Sequence, residues 1–381
     1  MLYEKTFWEI YHTEPERVGF CPYRICPLGA HIDHQWGKIN GLAIDKGIYF
    51  AYKTKCSGIC ELHSVNFPEK RVQFHIASVP EKKQGDWADH LRGAAIKLRE
   101  KYKLHFGVAG VIEGELPIGG LSSSAAVILA FLSALSEVND IHLTDRELIM
   151  MAKAAENEYV GVNCGKLDQS CEVLCRKDKL LFLDTKDDTY ELIPAPQGME
   201  PYLIAIFFSG LERSLANSAY NARQDECKAA AYALKALADM PYEQFKDTRL
   251  RDVPISVYEQ YGDRLPAAWK RRAEHYYTEQ ARVETGAEAW RKGDLIEYGR
   301  LIFESGYSSI YNYESGSEEL RTLYDIMHHT DGIYGGRFSG AGFKGCCMAL
   351  IDPNYAKHVE QHVAEKYLHA FPKLEGKYSF H

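Results

Sequence analysis

Leu116–Ala126 reads LPIGGLSSSAA, and this stretch decides how the chain is read. Apolar residues at helical spacing follow it directly: Val127, Ile128, Phe131, Leu132, Leu135 and Val138. The serines therefore sit where a helix must start. Glycines let backbone N–H groups approach an anion closely. A helix N-terminus adds unpaired N–H donors and roughly half a positive charge, which suits phosphate. Serine hydroxyls at that point cap the helix, touch phosphate oxygens or ligate Mg²⁺. Taken alone, the stretch is equally a plain Gly-Ser turn with a serine N-cap. No G-x-x-x-x-G-K-[ST] loop exists in the chain.

Outward from this loop the pattern is mixed. Before it, Phe20–Gly29 reads as strand and turn, Leu42–Cys56 as a β-prone run, and Ile59–His63 and Arg71–Ile76 as further strands. Trp87–Tyr102 places Ala88, Leu91, Ala95 and Leu98 on one helical face, and Val108–Ile112 reads as a strand. After it, Thr144-x-x-Glu147 is a capping box opening a helix to about Tyr159. Leu180–Leu183 and Tyr202–Phe208 read as strands, and Ala219–Ala238 as a helix. Further helices run to about Ile326, then come Gly335–Gly336, a glycine-rich loop, an apolar strand Cys346–Ile351 and a last helix. Asp187–Asp188 and the Pro194/Pro196 pair interrupt the pattern and mark a domain change, dividing the chain into 1–190 and 191–381.

Composition excludes several classes. The 381 residues suffice for two or three domains, and 46% hydrophobic with 26% charged residues excludes disorder as the main state. The net charge of −8 argues against a nucleic-acid partner or a polybasic membrane surface. No apolar run approaches the ~20 residues that span a bilayer. Met1–Glu16 carries no signal-peptide pattern. Ten cysteines without a C-x-x-C read as buried reduced thiols, so the expected location is cytoplasmic. His358, His362 and His369 read as the solvated face of a late helix rather than a metal site.

Three further segments carry chemistry-bearing residues: Pro22–Gln35 (PYRICPLGAHIDHQ), Gly161–Gln169 (GVNCGKLDQ) and Arg337–Gly345 (RFSGAGFKG). In this order, and together with the Gly-Ser stretch, they resemble the GHMP small-molecule kinases. Within these the chain is most similar to the sugar kinases of the galactokinase type, with Pro22–Gln35 particularly similar to the galacturonokinases. The resemblance implies an α+β, two-lobed fold, with an N-terminal lobe like ribosomal protein S5 domain 2 and a ferredoxin-like C-terminal lobe. It implies ATP and Mg²⁺ as cofactors, and phosphoryl transfer to a sugar's anomeric hydroxyl. Position by position, Asp168 matches the catalytic aspartate and Arg24 the arginine of the first motif. Gly29, His31 and Asp33 match the sugar motif, and Tyr220 a tyrosine near the sugar. Gly119, Gly120, Ser122, Ser123 and Ser124 match the phosphate loop, and Gly340 and Gly342 the third motif. Ser124 and Glu156 match the groups associated with Mg²⁺.

The chain also departs from that pattern. Its second motif is one residue shorter than P-x-G-x-G-L-S-S-S, and Lys344 stands where many relatives have glycine. Ala30 stands where the galactokinase type has a glutamate facing the sugar's C6 hydroxyl. Two carboxylates ~4 Å apart repel by roughly 4 kcal/mol at an effective dielectric near 20. Losing the glutamate therefore favours a uronic acid, with galactose as the alternative substrate. His31, Tyr23, Arg213 and Lys166 are the candidates to meet the C6 carboxylate.

Overall fold

The computed structural model describes residues 1–211, 218–241 and 243–381. They fall into two compact units that interleave along the chain. The first comprises 1–24, 43–117 and 122–174, the second 25–42, 118–121 and 175–381.

The first unit contains helix α1 (Leu2–Tyr11), strand β1 (Arg17–Ile25) and most of β2 (Lys38–Lys55). It continues with β3 (Ile59–Ser64), β4 (Val72–His75), α2 (Asp89–Lys101), β5 (Gly107–Gly114), α3 (Ser123–Val138), α4 (Asp145–Ala154) and α5 (Leu167–Leu174). Its strands run in the order β4-β3-β5-β2, with β1 also on β2. β3 and β5 are parallel, while β2 meets β5 antiparallel. The apolar stripe that marked α3 in the sequence is what it buries. Phe131 reaches the rings of Phe50 and Phe74, and Ile128, Leu132 and Leu135 are buried with it. The one helical face foreseen as apolar, Ala88 at the N-cap of α2 with Leu91, Ala95 and Leu98 along it, is fully buried. The capping box at Thr144 and Glu147 forms in both directions. The helix it opens changes to a π-turn at Ala155–Val160, which the sequence pattern did not announce.

The second unit begins with the hairpin β6 (Lys179–Asp184) and β7 (Tyr190–Pro194), to which Lys38–Gly41 of β2 adds a strand. Asp187 and Asp188 lie in the turn of that hairpin, where Asp187 accepts from Thr189 N. Then follow β8 (Leu203–Phe208), α6 (Ser218–Leu237), α7 (Ile255–Tyr261), α8 (Ala267–Lys292), α9 (Leu295–Tyr311) and α10 (Glu318–His328). The chain ends with β9 (Ile333–Phe338), β10 (Cys346–Ile351), α11 (Ala356–Ala370) and β11 (Ser379–Phe380). An antiparallel sheet β11-β8-β10-β9 carries α10 and α11 on one face, through Phe207, Ala349, Leu323, Met327, Val359 and Val363.

Gly335 and Gly336, which punctuate the sequence like a loop, lie inside β9. Their reason is tertiary. A Cβ at Gly335 would stand 2.2 Å from Gly299 O, so α9 can lie against the strand only backbone to backbone. All ten cysteines are free, and eight of them are buried. Among the described residues no helix is long and apolar enough to cross a membrane.

Candidate functional site

In the first unit the end of β1 presents Arg24, only 2% exposed, to the first turn of α5. Its Nε and Nη2 donate to Asp168 Oδ1 at 3.0 and 2.8 Å. Both bonds go to one oxygen, so Asp168 Oδ2 has no partner among the described residues, and the side chain stays 29% exposed. A carboxylate in a first helical turn also meets the positive end of the helix. The arrangement gives a fixed carboxylate with one oxygen open to a reacting group.

Beside it in sequence, Gln169 is fully buried and donates its Nε2 to Glu156 Oε2 at 2.6 Å. Glu156 lies in the π-turn and is 4% exposed. Such turns recur at functional sites because they re-aim single side chains within a helix. Cys164 Sγ stands 3.4 Å from the same Glu156 oxygen. Asn157 clamps the loop that follows by bonding both Cys164 N and Cys164 O.

Ser122 N-caps α3 with φ +60°, a conformation few non-glycine residues adopt. Its Oγ is buried and makes no hydrogen bond among the described residues. Ser123 and Ser124 open the helix, and no acidic residue lies in its first turn. The N-terminus of this 16-residue helix therefore carries its dipole unopposed by side-chain charge.

In the second unit Gly119 and Gly120 have φ +136° and +86°. A Cβ on Gly119 would stand 2.9 Å from Gly345 Cα, and one on Gly120 2.7 Å from Cys346 Sγ. A Cβ on Gly340 would lie 3.0 Å from Gly120 Cα. The two glycine segments are thus packed main chain on main chain. Gly342, with φ +78°, lies against the Phe338 ring instead.

The sugar-motif residues lie together in the second unit. Gly29, at φ +96°, has Lys38 O where a Cβ would go, and donates its N–H to Glu279 Oε1 at 2.7 Å. Ala30 is 8% exposed, and its carbonyl accepts from His275 Nε2 at 3.0 Å. His31, at φ +65°, stacks on Tyr313 with centroids 4.3 Å apart and planes 7° from parallel. Asp33 is buried in a short 3₁₀ turn whose carbonyl accepts from Thr185 Oγ1. Tyr220 is half-buried at the start of α6, its ring 6.4 Å from that of His31. Burial pushes His275 down to about 4 and His34 down to about 3. Glu279 is drawn down to about 2 against its own burial, by Arg282, His275, Arg337 and Ser305.

Of the candidates for a C6 carboxylate, Tyr23 is 2% exposed in the first unit, with its hydroxyl where a Gly114 Cβ would go. Lys166 is half-buried just before α5, and Arg213 lies outside the described residues. Sequence reasoning assigned no role to Gln169, His275, Glu279, Tyr313 or Arg337. Gln169 and Arg337 stood inside the quoted motifs. His275 and Glu279 carried a weaker signal, a four-residue spacing that puts both on one face of a polar helix.

The family model for the GHMP kinase N-terminal domain matches residues 89–176, and the one for the C-terminal domain matches 287–369. The chain is 39% identical to a galacturonokinase from Arabidopsis thaliana, over 94% of this chain and 88% of that one. It belongs to the GHMP kinases, with the α+β two-lobed fold of that family. It is also 32% identical to a galactokinase from Staphylococcus carnosus (strain TM300), over 95% and 92% of the two chains. The crystal structure of Lactococcus lactis galactokinase complexed with galactose superposes with a TM-score of 0.89 at 27% identity, covering 99% of this chain and 96% of that one.

Proposed function

We propose that this protein is an ATP- and Mg²⁺-dependent sugar 1-kinase acting on D-galacturonate. It moves the γ-phosphoryl group of ATP to the anomeric hydroxyl, giving D-galacturonate 1-phosphate and ADP. The observation that carries the chemistry is the Arg24–Asp168 pair, with one carboxylate oxygen held and the other open. Asp168 accepts the proton of the anomeric hydroxyl as its oxygen attacks phosphorus. Arg24 holds the carboxylate in place and offsets charge on the transferring group. Backbone N–H groups at the start of α3 and along Gly119–Ser124 would receive phosphate oxygens, with Gly340 and Gly342 in the adjoining third motif. His31, Asp33 and Tyr220 would line the sugar.

The donor set suits Mg²⁺. Ser124 gives a hydroxyl and Glu156 a buried carboxylate already oriented by Gln169, both hard oxygen ligands. Among the described residues no group of three or more His, Cys, Asp or Glu forms a metal cage. The ion would be held in part by nucleotide phosphates, whose charge it would neutralise. A cytoplasmic location completes the proposal.

Ala30 supports galacturonate over galactose, since no carboxylate at that position opposes one at C6. Galactokinase is the second reading, favoured by the many relatives of that name and the galactose-bound structure. The test is 1-phosphate formation from galacturonate, galactose and glucuronate with ATP and Mg²⁺. Galacturonate should give the highest kcat/KM, and a preference for galactose would replace the first reading with the second.

A further inference from the structure

The loop that carries Ala30 is held from behind by side chains of α8, α9 and β9. Glu279 Oε1 accepts from Gly29 N at 2.7 Å and from Ser305 Oγ at 2.5 Å. Its other oxygen accepts from Arg282 Nε at 2.8 Å, and Arg337 Nη1 lies 3.6 Å from Oε1. Arg337 in turn donates to Ser305 Oγ, to Ser309 Oγ at 2.9 Å and to Phe338 O at 3.1 Å. One turn of α8 away, His275 Nε2 bonds Ala30 O, and Nδ1 lies 2.9 Å from Ser308 Oγ. A carbonyl oxygen only accepts, so Nε2 carries the proton and Nδ1 accepts from the serine. Glu279, Arg337 and Ser305 are 0% exposed and His275 is 1% exposed.

A buried network of this kind is a weak source of stability, because well-packed apolar residues often do as well. What apolar residues cannot do is bind peptide groups. The two groups taken here are the Gly29 N–H and the Ala30 C=O, one on each side of the Ala30 side chain. The next residue, His31, sits at φ +65°, which persists only where the surroundings over-determine it.

We infer that His275 and Glu279 are positioning residues for sugar recognition: they clamp the Gly29 N–H and the Ala30 C=O and so fix where Ala30 and His31 meet the sugar. The inference rests on the reading of Gly29–His31 as the sugar loop. Neither side chain touches the reacting atoms. Loss of the clamp therefore weakens sugar binding and leaves nucleotide binding as it was.

The experiment compares His275→Leu, which keeps bulk and loses the donor, with His275→Gln, whose amide supplies an N–H again. His275→Leu should raise the sugar KM about tenfold, the size of one lost hydrogen bond of ~1.4 kcal/mol, with the ATP KM within about twofold. His275→Gln should recover most of the loss. An unchanged sugar KM, or sugar and ATP KM values rising together without rescue by glutamine, overturns the inference. Where His275→Leu does not fold, Ser308→Ala carries the test. It frees the second ring nitrogen, and about a threefold rise in sugar KM supports the clamp while no rise overturns it. Amide hydrogen exchange supplies a readout independent of turnover. Residues 29–31 should exchange faster in His275→Leu, with β10 unchanged, and unaltered exchange overturns the clamp. Should the wild type phosphorylate no sugar at all, the proposed function falls, while the exchange result still decides whether the loop is clamped.

Discussion

Two arginine–carboxylate pairs, one in each unit, use the same chemistry to opposite ends. Arg24 is 2% exposed and holds one oxygen of an Asp168 side chain that remains 29% exposed. Arg337 and Glu279 are both 0% exposed, and both Glu279 oxygens are taken by donors. A carboxylate that is fully buried with both oxygens already engaged presents neither of them to a substrate, so it can only hold structure in place. One left half-satisfied at a surface can accept a proton. Exposure and an unengaged oxygen, rather than charge, separate the pair proposed to react from the pair that holds structure.

The sharpest way to break this comparison is to neutralise each acid in turn. Asp168→Asn should lower kcat by about 10³-fold or more while urea unfolding stays within about 1 kcal/mol of wild type. Turnover within tenfold of wild type would remove Asp168 from the reaction. Glu279→Ala should do the reverse in kind. Stripping one partner from a buried pair costs about 3–5 kcal/mol of stability, read by the same urea titration. A Glu279→Ala protein as stable as wild type would show that the second pair holds nothing.

Acid titration sharpens the same contrast. His34 and His275 lie at about 3 and about 4 in the folded protein, mainly through burial, against about 6.5 when unfolded. Between pH 6.5 and about 4 the unfolded chain therefore binds more protons, and stability falls as pH drops. The slope is up to about 1.4 kcal/mol per pH unit for each histidine. Glu279, held near 2, adds its own loss only below about pH 4.5. Melting temperature should fall between pH 6.5 and 4.5, and less steeply in His275→Leu. A flat profile, or equal slopes in both proteins, contradicts this.

The smallest expected effect bears on the loop between the pairs' roles. Ala30→Glu should shift the kcat/KM ratio of galacturonate to galactose toward galactose by about tenfold or more. A like charge at C6 disfavours the acid, and a C6 hydroxyl can donate to the new carboxylate. Overpacking at a position only 8% exposed will lower both activities, so the ratio is the quantity to read. A ratio that stays put ends the charge-repulsion account of Ala30.

What the sequence made legible follows the same division. The Gly-Ser stretch, the GKLDQ segment and the Gly29–Asp33 motif stood out in the sequence because each constrains residue types locally: glycines at positive φ, a serine at a helix start, an acid beside an amide. The apolar stripes of α2 and α3 were legible from periodicity alone. α1 was not, since its only buried residues are Tyr3 and Phe7, too few to set a period. β7 and β9 were hidden by turn-forming residues whose purpose is tertiary, Asp187–Asp188 at a hairpin and Gly335 against Gly299 O. The clamp on Gly29 and Ala30 was out of reach for a simpler reason. Its residues lie in helices that look merely polar until the chain is folded.

That last separation also bears on when the protein becomes competent as it leaves the ribosome. The bond from Gly29 N to Glu279 spans 250 residues, and translation proceeds at about 5–20 residues per second. The loop is therefore exposed for roughly 10–50 s before its anchor is even synthesised. Arg337, which steadies that anchor, arrives later still. A nascent chain can complete much of its first unit early, but Gly29 and Ala30, in the proposed sugar loop, stay unanchored until α8, α9 and β9 exist. Premature termination between α5 and β9 would leave a chain that has the Gly119–Ser124 segment, Arg24 and Asp168 but lacks Arg337, which steadies the anchor of Gly29.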